Sequence, residues 1–173
     1  MLTLEQELAK AEYVTDIELD YHLWLSEMFP HLFQIDTFEP HQEEFWELVW
    51  NIPEDGIGSA EDGNLWQTPI NIIGRGGGKS TQAETAVVMA GARNLRKVAM
   101  YITGTKAQAL KHAKSIEAQL TSPNIANYYP GLSQRKLNQY GHSQGWNGQV
   151  IVTAWDFVIF FVSLDTEFRG ARW

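Results

Sequence analysis

The chain has 173 residues, 44% of them hydrophobic and none of them cysteine, with 13 Lys+Arg against 21 Asp+Glu. That length and apolar content suit one core, and they exclude a disulfide-stapled mini-protein, a Cys-ligated zinc module and a disordered tail. The net charge of −8 conceals a segregation: residues 1–70 hold one base and 16 acids, residues 71–173 hold 12 bases and 5 acids. An acidic front of net −15 thus precedes a basic back of net +7, a functional hint that the total hides. The longest unbroken apolar run, Phe157–Val162, is too short to span a bilayer, and no basic-then-apolar leader opens the chain. The expectation is a soluble, intracellular protein.

The first fifty residues read as helices. Thr3-Leu4-Glu5-Gln6 has capping-box spacing, and Thr15-Asp16-Ile17-Glu18 repeats it ahead of Pro30, which predicts a second helix starting near Thr15. A third helix is expected from Pro40, since a first helical position needs no N–H, with Phe45, Trp46, Val49 and Trp50 facing a core. Asn51–Thr68, rich in Gly, Asp, Glu and Pro, reads as a loop. Pro69–Ile73 reads as a short strand, and a helix ending near Gly91 follows the glycines after it. Lys97–Thr103 is a second strand, and Lys106–Leu120 an amphipathic helix with Leu110, Ala113, Ile116 and Leu120 on one side. Asn124–Gly148 is polar and loop-rich; Gln149–Ala154 and Phe157–Leu164, with Trp155-Asp156 between them, form a β-hairpin. Strand, glycine loop, helix, strand and helix make a βαβα unit, so a parallel sheet is predicted.

Gly74-Arg75-Gly76-Gly77-Gly78-Lys79-Ser80-Thr81 carries the chemistry. Glycines let backbone approach phosphate oxygens and adopt positive φ, and their N–H groups at a helix N-terminus converge on an anion. Lys79 would reach the β/γ-phosphates and the Ser80 hydroxyl would complete a Mg²⁺ shell. The strict phosphate-loop pattern places a Gly six residues before the Lys, where this chain has Ile73, so the spacing is one residue short. The competing reading is a flexible glycine turn with an incidental lysine.

Ile73–Ser80 resembles the deviant Walker A loop of large terminase subunits, the DNA-packaging motors of tailed bacteriophages. Such loops commonly lack the first Gly and carry an Arg where Arg75 stands. Phe38-Glu39-Pro40-His41-Gln42 followed by Phe45-Trp46 resembles the upstream adenine-recognition motif. Tyr101–Thr105 with Gln108-Ala109, Gly145-Trp146-Asn147, and Leu164–Gly170 resemble later segments of the same ATPase, in the same order. The resemblance covers residues 36–172. It implies an α/β P-loop NTPase: an N-terminal helical segment over residues 1–68 and a partial ATPase core over residues 69–173, with an incomplete parallel sheet and a C-terminal β-hairpin. It implies ATP and Mg²⁺ as cofactors, with Gln42 at the adenine edge, Gly74, Gly76, Gly77, Gly78, Lys79, Ser80 and Thr81 around the phosphates, and Mg²⁺ on Ser80. Arg75 and Arg169 would stabilise transition-state charge, Arg169 across a subunit interface, a role suited to a fixed planar cation. The implied partners are double-stranded viral DNA, the portal protein, the small terminase subunit and further copies in a ring. The implied setting is the cytoplasm of an infected host, docked on procapsids.

The family's Walker B strand would follow the Arg169-Gly170 pair, and the chain stops at Trp173. An in-chain candidate is the apolar strand ending in Asp165, with Glu167 two residues on; the alternative is a truncated product. Rival functions are a nucleotide-binding remnant without turnover, a helicase-like ATPase, and a small-molecule kinase, for which no acceptor-binding lid is found. The five histidines show no paired ligand spacing. Among seven tryptophans expected mainly in the core, Trp146 in a Gly/Asn-rich loop is the candidate stacking platform. Lys106, Lys111 and Lys114 are either solvated or DNA-facing.

Overall fold

The structure, a computed structural model, describes residues 4–33, 38–52 and 78–165, and within them the acidic front is helical. Helix α1 spans Leu4–Ile17, α2 spans Tyr21–Met28 and α3 spans Pro40–Trp50. The predicted helix start at Thr15 is corrected: the Thr15 hydroxyl donates to the Ala11 carbonyl at 3.0 Å, so the residue extends α1 by bonding back into it. Asp20 starts α2 instead, from extended backbone, its carboxylate accepting the His22 N–H at 2.6 Å. Pro40 opens α3 as expected. Trp46, Val49 and Trp50 are buried and Phe45 is half-buried, which puts the predicted stripe on the core side. Trp24 and Trp46 are fully buried, with Phe29 edge-on to Trp24 at 5.7 Å and Phe33 edge-on to Trp46 at 5.8 Å.

The chain divides into two compact units, Met1–Thr81 and Gln82–Trp173, so the division falls inside α4 (Lys79–Ala92). The second unit continues with β1 (Val98–Thr103), α5 (Lys106–Leu120), α6 (Pro123–Tyr128), α7 (Pro130–Ser133), β2 (Val150–Val152) and β3 (Val158–Ser163). The sheet runs β1-β3-β2, with β1 parallel to β3 from Val98↔Val158 to Thr103↔Ser163, and β2 antiparallel to β3. The described residues therefore form a mixed α/β fold with a small mixed sheet. The hairpin stands where it was predicted, turning through Asp156 at φ 63°, a left-handed conformation that Asp tolerates. The strand expected at Pro69–Ile73 lies outside the described residues.

Two short helices, α6 and α7, occupy part of the stretch read as loop. Each has Pro in its first turn, and they bury Ile125 and Leu132. Helix α5 has its predicted bounds but not quite its predicted face. Leu110 is 38% exposed, whereas Ala109, Ala113, Ile116 and Leu120 are buried. The buried set follows i, i+4, i+7, i+11, and Leu110 sits about 100° round the helix from its leading member. Ile159, Phe161 and Ser163 face the α5 side of the sheet and are buried, while Val98, Met100 and Ile102 on the opposite face of β1 are exposed.

Candidate functional site

The glycine loop enters α4 through Gly78, whose φ of 73° is a conformation L side chains avoid. Lys79 and Ser80 follow at once on the first turn, both exposed, and Thr81 is half-buried. Glycine geometry, helix N-terminus and Lys-Ser thus coincide at one place, and first-turn N–H groups have no intrahelical acceptors. Gly74, Arg75, Gly76, Gly77, Glu167 and Arg169 lie outside the described residues. Gln42 is the third residue of α3, where its Oε1 accepts the Glu39 N–H at 2.8 Å as half of a capping box. It therefore has a structural task independent of any adenine.

Below the first turn, α4 carries a polar cluster that sequence reasoning missed. Glu84 is 6% exposed, and its two carboxylate oxygens meet His112 Nδ1 at 2.5 Å and the Ser115 hydroxyl at 2.6 Å, both from α5. From the next residue of α4, the buried Thr85 hydroxyl donates to Gln119 Oε1, one turn beyond Ser115 on α5, at 3.0 Å. The His112 ring lies 5.0 Å from Tyr101 on β1. Burial, reinforced by the Glu84 charge, pushes the Tyr101 hydroxyl up to about 12. These contacts tie α4 to α5 with directional bonds, which a purely apolar interface would lack. The signal available in sequence was a lone Glu on the apolar side of α4 and a His-x-x-Ser pair at helical spacing on α5.

At the C-terminal edge of the parallel pair, Thr103 and Ser163 stand side by side, with Thr103 Oγ1 donating to the Thr105 carbonyl at 3.0 Å. Thr105 caps α5 by accepting the Gln108 N–H at 3.3 Å, while Gln108 Oε1 accepts the Thr105 N–H at 3.2 Å. Asp165 adds a second cap, accepting the Lys106 N–H at 3.2 Å. The Ser163 hydroxyl first, and that N–H second, hold the Asp165 carboxyl below the usual carboxylate range. Asp165 thus serves the α5 N-terminus, a role its position after an apolar strand did not reveal.

Trp146 is no exposed platform. It is 9% exposed, its indole N–H donates to Glu117 Oε1 at 2.6 Å, and the Arg135 guanidinium lies 5.4 Å from its ring. It anchors the loop before β2 onto α5. Lys106, Lys111 and Lys114 are all exposed along α5. Among the described residues no group of three or more His, Asp or Glu could hold a metal ion, and no helix is long and apolar enough to cross a membrane. Comparison with protein-family models, curated proteins and solved structures finds no match.

Proposed function

We propose that this chain is the ATP-binding part of a bacteriophage terminase large subunit, with the P-loop NTPase fold, using ATP and Mg²⁺ to drive double-stranded DNA into a procapsid. One observation carries the reading: a glycine with φ of 73° leads directly into Lys79-Ser80 at the start of a 14-residue helix. That is the junction at which a phosphate chain finds backbone N–H groups, a lysine and a Mg²⁺-ligating hydroxyl together. The parallel β1/β3 pair with α5 beside it supports the α/β context such a loop requires. In this reading Lys79 neutralises the β/γ-phosphates, Ser80 holds the metal, and Arg75 and Arg169 are the cations for developing charge. DNA, portal protein and small subunit come from the terminase resemblance of the sequence.

Binding of a fluorescent ATP analogue to the 173-residue chain tests it, with Lys79→Ala as the control. Saturable Mg²⁺-dependent binding lost in Lys79→Ala is expected; equal binding by both chains refutes the loop assignment. A second reading, nucleotide binding without turnover, is favoured by Asp165, whose carboxylate is engaged by Lys106 and Ser163. Steady phosphate release abolished by Glu167→Gln would overturn that second reading.

A further inference from the structure

A cavity of about 490 Å³ opens between the first turns of α5, the inner face of β3 and the loop entering β2. All its lining residues belong to the second unit, so it is separate in the chain from the Lys79–Thr81 turn. Its volume lies within the range of small-ligand sites, which are concave and mostly apolar with a few placed polar groups. Ala109, Leu110 and Phe161 are its apolar lining residues, and Lys106, Gln149 and Ser163 its polar ones. The space depends on Gly148, at φ 79°, because a Cβ there would come within 2.9 Å of Leu110 Cδ2.

We propose that this cavity binds a nucleoside phosphate, with the base against Phe161 and Leu110 and the phosphate at the Lys106 ammonium. Each part of the ligand has a chemical counterpart. An aromatic wall favours a flat heterocycle over an aliphatic chain. A primary amide such as that of Gln149 offers donor and acceptor together, the pairing that matches the edge of a base. Lys106 is exposed on the mouth, and an ammonium is a point-charge partner for phosphate. The nearby Asp165 carboxylate is held by the Lys106 N–H and the Ser163 hydroxyl and also feels the Lys106 charge, so a ligand's phosphate would share that ammonium with Asp165 at the mouth of the cavity. The same chemistry is presented by a free mononucleotide and by the phosphorylated end of a nucleic acid strand.

The experiment uses the full chain carrying Lys79→Ala, which removes the glycine-loop site, so that failure of this cavity and failure of that loop are read separately. Adenosine monophosphate and a 5′-phosphorylated trinucleotide are titrated by calorimetry. The expected result is saturable binding of at least one of them, weakened about tenfold by Lys106→Ala, the loss of one charge-assisted bond. Binding should be unchanged by Lys111→Ala, which removes an equally exposed charge outside the cavity. Leu110→Trp, which fills the space, should abolish it in a chain whose circular dichroism is unaltered. Tighter binding of the trinucleotide identifies a strand end as the ligand source, and tighter binding of the monophosphate a free nucleotide. Absence of binding to either probe, or equal weakening by Lys106→Ala and Lys111→Ala, overturns the proposal.

Discussion

Replacing Glu84 probes the α4–α5 interface directly. Its side chain is 8% exposed and that of His112 17% exposed, so neither is well compensated by water once its partner is gone. Glu84→Ala removes two hydrogen bonds to a charged acceptor, each worth about 1.5–3 kcal/mol in mutational series, and strands His112 and Ser115 against a small void. Side-chain relaxation and the recovered desolvation of the carboxylate offset part of this, so a loss of about 3 kcal/mol is expected. Glu84→Gln keeps the volume and one acceptor, and the Ser115 hydroxyl can reverse to accept from the new amide, so about 1 kcal/mol is expected. Urea unfolding followed by circular dichroism measures both, as a shift of midpoint at constant slope. A double-mutant cycle with Ser115→Ala should return a coupling of about 1 kcal/mol or more. A Glu84→Ala chain within about 0.5 kcal/mol of wild type, or a strictly additive cycle, would refute the claim that these bonds hold the helices together.

Three further outcomes follow from the same contacts. Tyr101 stays neutral to about 12, so the stability it contributes is complete below the ordinary tyrosine value near 10 and is lost as pH rises from about 10 to about 12. Tyr101→Phe should flatten alkaline destabilisation in that window, and ultraviolet titration should show one phenol fewer ionising late. Asp165 is displaced the other way: the stability it lends is present above the ordinary aspartate value near 3.9 and disappears as acid titrates it below that. Ser163→Ala should move the acid limb of thermal melts to higher pH. Gly91→Ala should destabilise by about 1–2 kcal/mol despite a helix-propensity gain of about 1, because the new Cβ would sit 2.6 Å from Phe157 and 2.9 Å from Leu132. A stabilised Gly91→Ala chain in urea melts would show that this packing is looser than described.

Features written in a few neighbouring residues are legible along the chain itself. Pro40 opens α3, Thr105 and Gln108 close a capping box on α5, and the hairpin turns at Trp155-Asp156, because each depends only on contacts within about four positions. The Lys79-Ser80 helix start behind a positive-φ glycine belongs to the same class. Local signals also mislead where two residues offer the same device. Thr15 and Asp20 both have the chemistry of a cap, and only the continued α1 ladder decides that Thr15 bonds backward while Asp20 starts α2. Periodicity locates the α5 stripe but turns it by one residue, since Ala109 and Leu110 are both apolar and only the sheet selects between them.

Sequence by itself determined the charge segregation, which is composition. It also determined α3, α4, α5, the hairpin and the glycine-lysine-serine junction, which are products of short-range sterics and hydrogen bonding; it did not determine α6, α7 or the start of α2. The tertiary structure alone decided that β1 runs parallel to β3, that Glu84 meets His112 and Ser115 across 28 and 31 positions, and that Asp165 caps a helix 59 residues earlier. It also placed Trp146 on Glu117 rather than in solvent. Those pairings arise because burying the apolar faces of α4, α5 and the sheet draws polar side chains into low dielectric, where each must find a partner. Which partner it finds is set by the packing of whole elements, and no window along the chain contains that information.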